Sequence, residues 1–258
     1  MRKLFLLPIL FLGSCTSAQQ GNTLPEAALL LTTHYSGTSA GKPPTVTWTP
    51  KAEEIRQQFD YPATPQQFGK VSTMLDTVLY PSTDLALVFF RTTRVNEDPE
   101  LPSPGSWCTL CEDWLGLARY AKGAGGEWEL LDFNKWFHKQ GVFDQVSKPV
   151  LVETGRGRQA ARIISSDGEL EYHRTTHHIV GLPELKNVLS IATNIYEVER
   201  EGFDVVGGAE PVEHTYSFIP TEKDWYDVEV NDGSAKPVRW VYSSTTGKYA
   251  PAVKAPVK

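Results

Sequence analysis

From Val71 onward, hydrophobic and polar residues alternate with a period of two, the spacing of a strand that lays one face on a core. One run breaks the alternation. Asp84-Leu85-Ala86-Leu87-Val88-Phe89-Phe90-Arg91 is almost continuously apolar, which predicts a strand buried on both faces. Further strands are predicted at Leu115–Ala121, Trp128–Phe133, Val150–Glu153, Gln159–Ser165, Glu169–His173, Val188–Tyr196, His214–Ile219, Tyr226–Val230, Val238–Ser243 and Tyr249–Ala252. Leu131 to Gln140 carries Phe133, Trp136 and Phe137 at helical spacing, so a helix and a strand edge both remain open there. Val95 to Ser106, with Pro99, Pro102 and Pro104, predicts an exposed loop. Ahead of Val71 the pattern is helical only in short pieces, Pro25 to Leu31 and Lys51 to Phe59; Pro62 and Pro65 stop the second. The expected fold is mostly β, with antiparallel hairpins in a propeller-like or sandwich arrangement and minor helices near the N-terminus.

Three predicted hairpins align around turn glycines at Gly126, Gly168 and Gly247, with Gly208 near the position that would complete a period of roughly 40. A period of that length suggests blades. An ordinary meander also places turn glycines at such intervals, so the alignment leaves the arrangement open.

The N-terminus has a different character. Arg2 and Lys3 precede a short apolar run, Leu4 to Leu12, that is too short to span a bilayer and ends in Leu12-Gly13-Ser14-Cys15. This is the layout of a secretory signal with small residues before the cut. The Leu-Gly-Ser-Cys box resembles the lipobox of bacterial lipoproteins, which implies that Cys15 is lipidated and becomes the first mature residue. Thr16, in place of Asp, resembles an outer-membrane address. Residues 16–50 are rich in Thr, Ser, Gly and Pro. The expected organisation is therefore a signal peptide over 1–14, a lipidated Cys15 and flexible tether over 15–50, a β-rich domain over 51–253, and a disordered tail over 254–258.

Composition narrows the partners. The net charge is −6 and no basic block is present, which argues against nucleic acid. The expected partners are a membrane, through the N-terminal lipid, and an envelope protein or glycan. No Ser-His-Asp signature, glycine-rich phosphate loop or His-Glu-x-x-His stands in the chain, and no cofactor is expected.

Two features carry candidate chemistry. The first is Trp107-Cys108-Thr109-Leu110-Cys111, the sole Cys-x-x-Cys. In an exported chain such a pair favours a structural disulfide with Trp107 or Trp114 packed nearby. It also resembles the thioredoxin active site, which implies a thiol–disulfide exchange role. That role needs a helix after Cys111, and Gly116, Gly123, Gly125 and Gly126 disfavour one. The second feature is His173, His177 and His178, candidate metal ligands. On a strand, His173 and His177 share a face and His178 points away, so at most two ligate together, and no metal site is expected. Gly155-Arg156-Gly157-Arg158 reads as a surface turn whose arginines could hold an anion. Trp107, Trp114, Trp128, Trp136, Trp225 and Trp240 are expected mainly in the core, with a sugar platform as the other use of such residues.

Cys108-x-x-Cys111, Leu115-Gly116-x-Ala118-x-Tyr120 and Gly125-Gly126-x-Trp128-x-Leu130 together resemble a group of uncharacterised bacterial exported proteins with a Cys-x-x-Cys, an LGxA strand and a GGxW hairpin. Those proteins often carry His-Ala between the cysteines, where Thr109 and Leu110 stand here. The resemblance implies a fold and a location, and no catalytic residues. Trp225 to Val230, Arg239 to Tyr242 and Gly247-Lys248-Tyr249 look like the closing strands of propeller-type repeats. The functional expectation is an exported lipoprotein with a non-catalytic envelope-binding or structural domain. A thioredoxin-like oxidoreductase using Cys108 and Cys111 is the alternative, and a carbohydrate-binding module a further one.

Overall fold

The computed structural model describes residues 23–58, 69–95, 113–141, 147–169, 172–182, 184–201, 204–208, 212–234 and 236–252. Two antiparallel sheets dominate. The larger has twelve strands. Its N-terminal half runs β1 (Ser39–Ala40), β2 (Thr45–Trp48), β3 (Val71–Ser82), β4 (Leu85–Arg94), β5 (Asp113–Lys122) and β6 (Trp128–Gly141). Its C-terminal half holds β7 (Val150–Gly155), β8 (Arg158–Glu169), β9 (Tyr172–Gly181), β10 (Lys186–Glu201), β11 (Asp204–Gly208) and β12 (Val212–Glu213). The second sheet is a four-stranded meander of β13 (Thr215–Ile219), β14 (Asp227–Asn231), β15 (Val238–Ser243) and β16 (Lys248–Pro251). The chain is thus mostly β and antiparallel, and the large sheet curls into a half-barrel.

Strand β4 explains the curl. Ala86, Val88 and Phe90 face one apolar layer, while Leu87 and Phe89 face another, and all five are fully buried. The first layer lies under helix α1 (Ala27–His34). Ala and Leu favour this helix, and it ends at Tyr35, whose extended backbone donates to the Leu31 carbonyl at 2.8 Å. Leu30 and Leu31 enter the layer, and Tyr35 packs among Trp48, Phe90 and Phe133. The Tyr35 hydroxyl occupies the space that a side chain on Gly116 would take, so this helix and that glycine fit only each other. A buried relay supports the layer from below: Trp48 Nε1 donates to Thr73 Oγ1 at 2.8 Å, and Thr73 and Thr92 hydroxyls lie 2.8 Å apart.

The expected flexible tether over 15–50 does not extend past Ala27, and residues 15–22 lie outside the described residues. From Ala27 the chain is part of the fold, because Leu30, Leu31, Val46 and Trp48 supply apolar surface that the sheet needs covered. A second short helix, α2 (Ala52–Gln58), adds Ile55 to the same layer and places Glu54 2.7 Å from Lys135 Nζ.

The second layer joins the two halves of the large sheet. Leu87, Phe89, Leu115 and Leu117 meet Ala161, Ile163, Val180 and Leu182. By contrast, backbone pairing between the halves is, among the described residues, a single parallel register, Gly141 with Ser166. The rest of the outer edge of β6 bears exposed Leu130 and Leu131.

The third layer lies between β8–β10 and the small sheet, where Ala160, Ile179, Leu189 and Ile191 meet Val228, Val230, Trp225 and Tyr249. Asp227, 2% exposed, stitches the small sheet. It accepts from Lys223 Nζ at 3.0 Å and from Arg239 Nε at 2.9 Å. Burial pushes its carboxyl up, but these two cations outweigh that and hold it below its ordinary value. The strands therefore build two face-packed sheets, and the glycine repeat does not produce a ring of blades: Gly126 and Gly247 sit in turns, whereas Gly168 lies inside β8.

Candidate functional site

Cys15, Cys108, Cys111 and Trp107 lie outside the described residues. Trp114, the other tryptophan expected beside the cysteine pair, is 1% exposed in the helix-covered layer. His173 lies on β9, paired with Gly168 and Tyr196, and its side chain is outside the described part.

His177 and His178 sit side by side in the middle of β9 and face opposite layers. His178 is the hub of a hydrogen-bonded row across three strands. Its Nε2 is 2.8 Å from Ser165 Oγ on β8, and its Nδ1 is 3.0 Å from Ser190 Oγ on β10. Asn187 donates to Ser190 Oγ at 2.8 Å, and His138 meets the imidazole edge to face at 4.6 Å. A neutral imidazole donates from one nitrogen and accepts at the other, so the row has a direction. A hydroxyl held against an imidazole is half of a nucleophile–base pair. Here, however, Ser165 is 4% exposed, and the row works as a polar clasp on three adjacent strands.

His177 faces the small sheet. Its Nδ1 lies 3.1 Å from the Tyr216 hydroxyl on β13, with the rings edge to face at 5.6 Å. Burial, then the charges of Arg162 and His178, lower its pKa to about 4. The ring is therefore neutral near pH 7. Burial raises the Tyr216 phenol, partly offset by the charge and hydrogen bond of Arg162. Arg162, on β8, has its Nε sealed from solvent without a hydrogen-bond partner, and among the described residues no carboxylate pairs with it. Arg162, His177 and Tyr216 thus form a basic polar cluster between the sheets.

A third feature is a cleft of about 340 Å³ between the β3–β4 hairpin and the turn from β7 to β8. Pro81, Ser82 and Leu85 form one wall, and Arg156, Arg158 and Gln159 the other. The Gly155-Arg156-Gly157-Arg158 turn noted in the sequence is this rim. Arg158 lies 4.7 Å over the Trp225 ring, and exposed Arg156 is 3.7 Å from Glu222. Among the tryptophans, Trp48, Trp114 and Trp225 are buried. Trp128 packs beside half-exposed Tyr80 with their rings tilted by 53°.

Sequence reasoning singled out His177 and His178 but missed Arg162, Tyr216, Ser165 and Ser190. These reach the histidines through cross-strand pairing, which local spacing does not encode. Two adjacent histidines inside an apolar alternation were the available signal. Among the described residues, no group of three or more His, Cys, Asp or Glu is arranged to hold a metal ion, and no helix is long and apolar enough to cross a membrane. No family model, curated protein or solved structure matches the chain.

Proposed function

We propose that this chain is an exported bacterial lipoprotein, anchored through Cys15, whose β domain binds an envelope component without chemically transforming it. The observation that carries the non-catalytic part is β5. The strand begins at Asp113, two positions after Cys111, and continues to Lys122. A thioredoxin-type site lowers the pKa of its first thiol with the N-terminus of a helix at that point, and a strand offers no such dipole. On this reading Cys108 and Cys111 form a structural disulfide at the lip of β5.

The anchor rests on Leu12-Gly13-Ser14-Cys15 and on the short distance to the fold. Helix α1 starts at Ala27, twelve positions after Cys15. Even fully extended, that span reaches only ~40 Å, so an acylated Cys15 keeps the domain at the membrane surface. Thr16 favours the outer membrane as the destination.

Two measurements test the proposal. Cys15→Ala, or globomycin treatment, should change the mass of the protein and release it from membranes; an unchanged soluble form rules out the anchor. The cysteine pair should resist reduction by millimolar glutathione, and the protein should not reduce insulin. Rapid exchange, together with loss of cellular function in Cys108→Ser at unchanged protein level, would establish the oxidoreductase instead.

A further inference from the structure

We propose that Arg162, Tyr216 and His177 form a binding site for an oxyanion group, a carboxylate or a phosphate, carried by the ligand of this domain. Three observations converge on it. Arg162 is a half-buried guanidinium with no carboxylate partner among the described residues, and its Nε is sealed from solvent without an acceptor. A buried N–H without an acceptor costs free energy, and a bound anion supplies both that acceptor and a counter-charge for the guanidinium. The Tyr216 hydroxyl and the His177 imidazole stand beside it, 3.1 Å apart. These are hydrogen-bonding groups of the type that fix an oxyanion next to a guanidinium. The electrostatics agree. The charge of Arg162 acts on both His177 and Tyr216, so the cluster is locally positive in a chain of net charge −6.

The location also suits a ligand. Tyr216 is on β13, the edge strand of the small sheet, while Arg162 and His177 come from β8 and β9 of the large one. The site lies where the two sheets meet, and its three side chains are half-buried. This inference does not depend on the anchor at Cys15.

The test is a histidine-labelled NMR titration of the purified full-length chain at constant ionic strength, with inorganic phosphate and succinate as separate probes. The resonance of His177 is identified by its loss in His177→Gln. One probe should shift it saturably with a Kd of ~1 mM or tighter. The saturating probe should also raise the titration midpoint of His177, because the bound anion cancels the charge of Arg162. Saturation by phosphate alone assigns a phosphate ligand, and saturation by succinate alone a carboxylate ligand. Arg162→Gln should weaken binding by ~tenfold or more, and Tyr216→Phe, which keeps the ring packing, by a smaller factor. Absence of a saturable shift with both probes overturns the proposal. So does unchanged affinity in a folded Arg162→Gln or Tyr216→Phe variant.

Discussion

Gly155 meets Asp224 backbone to backbone: a β-carbon on Gly155 would collide with the Asp224 carbonyl oxygen. One residue before Gly155 and two after Asp224, the Tyr226 amide donates to the Thr154 carbonyl at 2.7 Å. These contacts fasten the small sheet to the rim of the large one. Gly155→Ala should therefore cost about 1–3 kcal/mol, since backbone must move to admit the methyl group. Urea denaturation would measure the loss, and amide exchange at Tyr226 should quicken with it. An unchanged midpoint would mean that the junction is compliant.

Asp227 is the ionic counterpart of that fastening. Asp227→Asn should cost about 1–3 kcal/mol, because it keeps the shape of the side chain but removes the charge that Lys223 and Arg239 share. The cost stays below that of a fully buried pair because both cations are more than half exposed. A double-mutant cycle with Arg239→Gln would measure the coupling, which should be small but positive.

Stability should fall as the solution is acidified from pH 6.5 toward 4. In the unfolded chain His177 regains its ordinary value of 6.5 and takes up a proton, while in the native state it stays neutral down to about 4. The unfolded state therefore binds more protons across that window and is favoured by acid. His34, also lowered by burial, acts in the same direction. Asp227, held below its ordinary 3.8, adds a further loss at lower pH. Urea midpoints measured from pH 8 to 3 should show this slope, and His177→Gln should flatten it between 6.5 and 4. An equal slope in the variant would show that other groups set it.

Phe90 and Leu131 lie at opposite extremes. Phe90→Ala should cost about 3–5 kcal/mol, since the ring is fully buried against Tyr35, His34 and Phe133. Leu131→Lys should change stability by about 0.5 kcal/mol or less, because the side chain is 54% exposed. Thermal denaturation of both would check that β4 is buried on both faces and that Leu131 lies at the surface.

Strand β4 was the most legible part of the chain, because a run apolar on both faces has few other uses. Strand β15 matched its predicted limits, Val238–Ser243. Residues 131–140 were ambiguous for a physical reason. Phe133 and Trp136 both reach the helix-covered layer although they are three positions apart, which puts them on opposite faces of a regular strand. Register shifts between β5 and β6 at Leu115/Leu117 make it possible, and a bulge of that kind gives a strand the spacing of a helix. The N-terminal segment was misread because its Thr, Ser, Gly and Pro content outweighed a few apolar residues whose value depends on a sheet far along the chain. The basic cluster was illegible for a related reason: Arg162 and Tyr216 are 54 positions apart and belong to different sheets.

The single backbone register between Gly141 and Ser166 has a mechanical consequence. A hydrogen-bonded ladder is directional and resists shear until its bonds break together, whereas an apolar layer is indifferent to small sideways displacement. Among the described residues, the two halves of the large sheet are joined almost wholly by the second kind of contact, Leu87, Phe89, Leu115 and Leu117 against Ala161, Ile163, Val180 and Leu182. Force transmitted between them is carried by greased side chains. Among the described residues the junction of β6 and β8 therefore offers few hydrogen bonds against shear, and a pull applied across it should part it before the long ladders within each half.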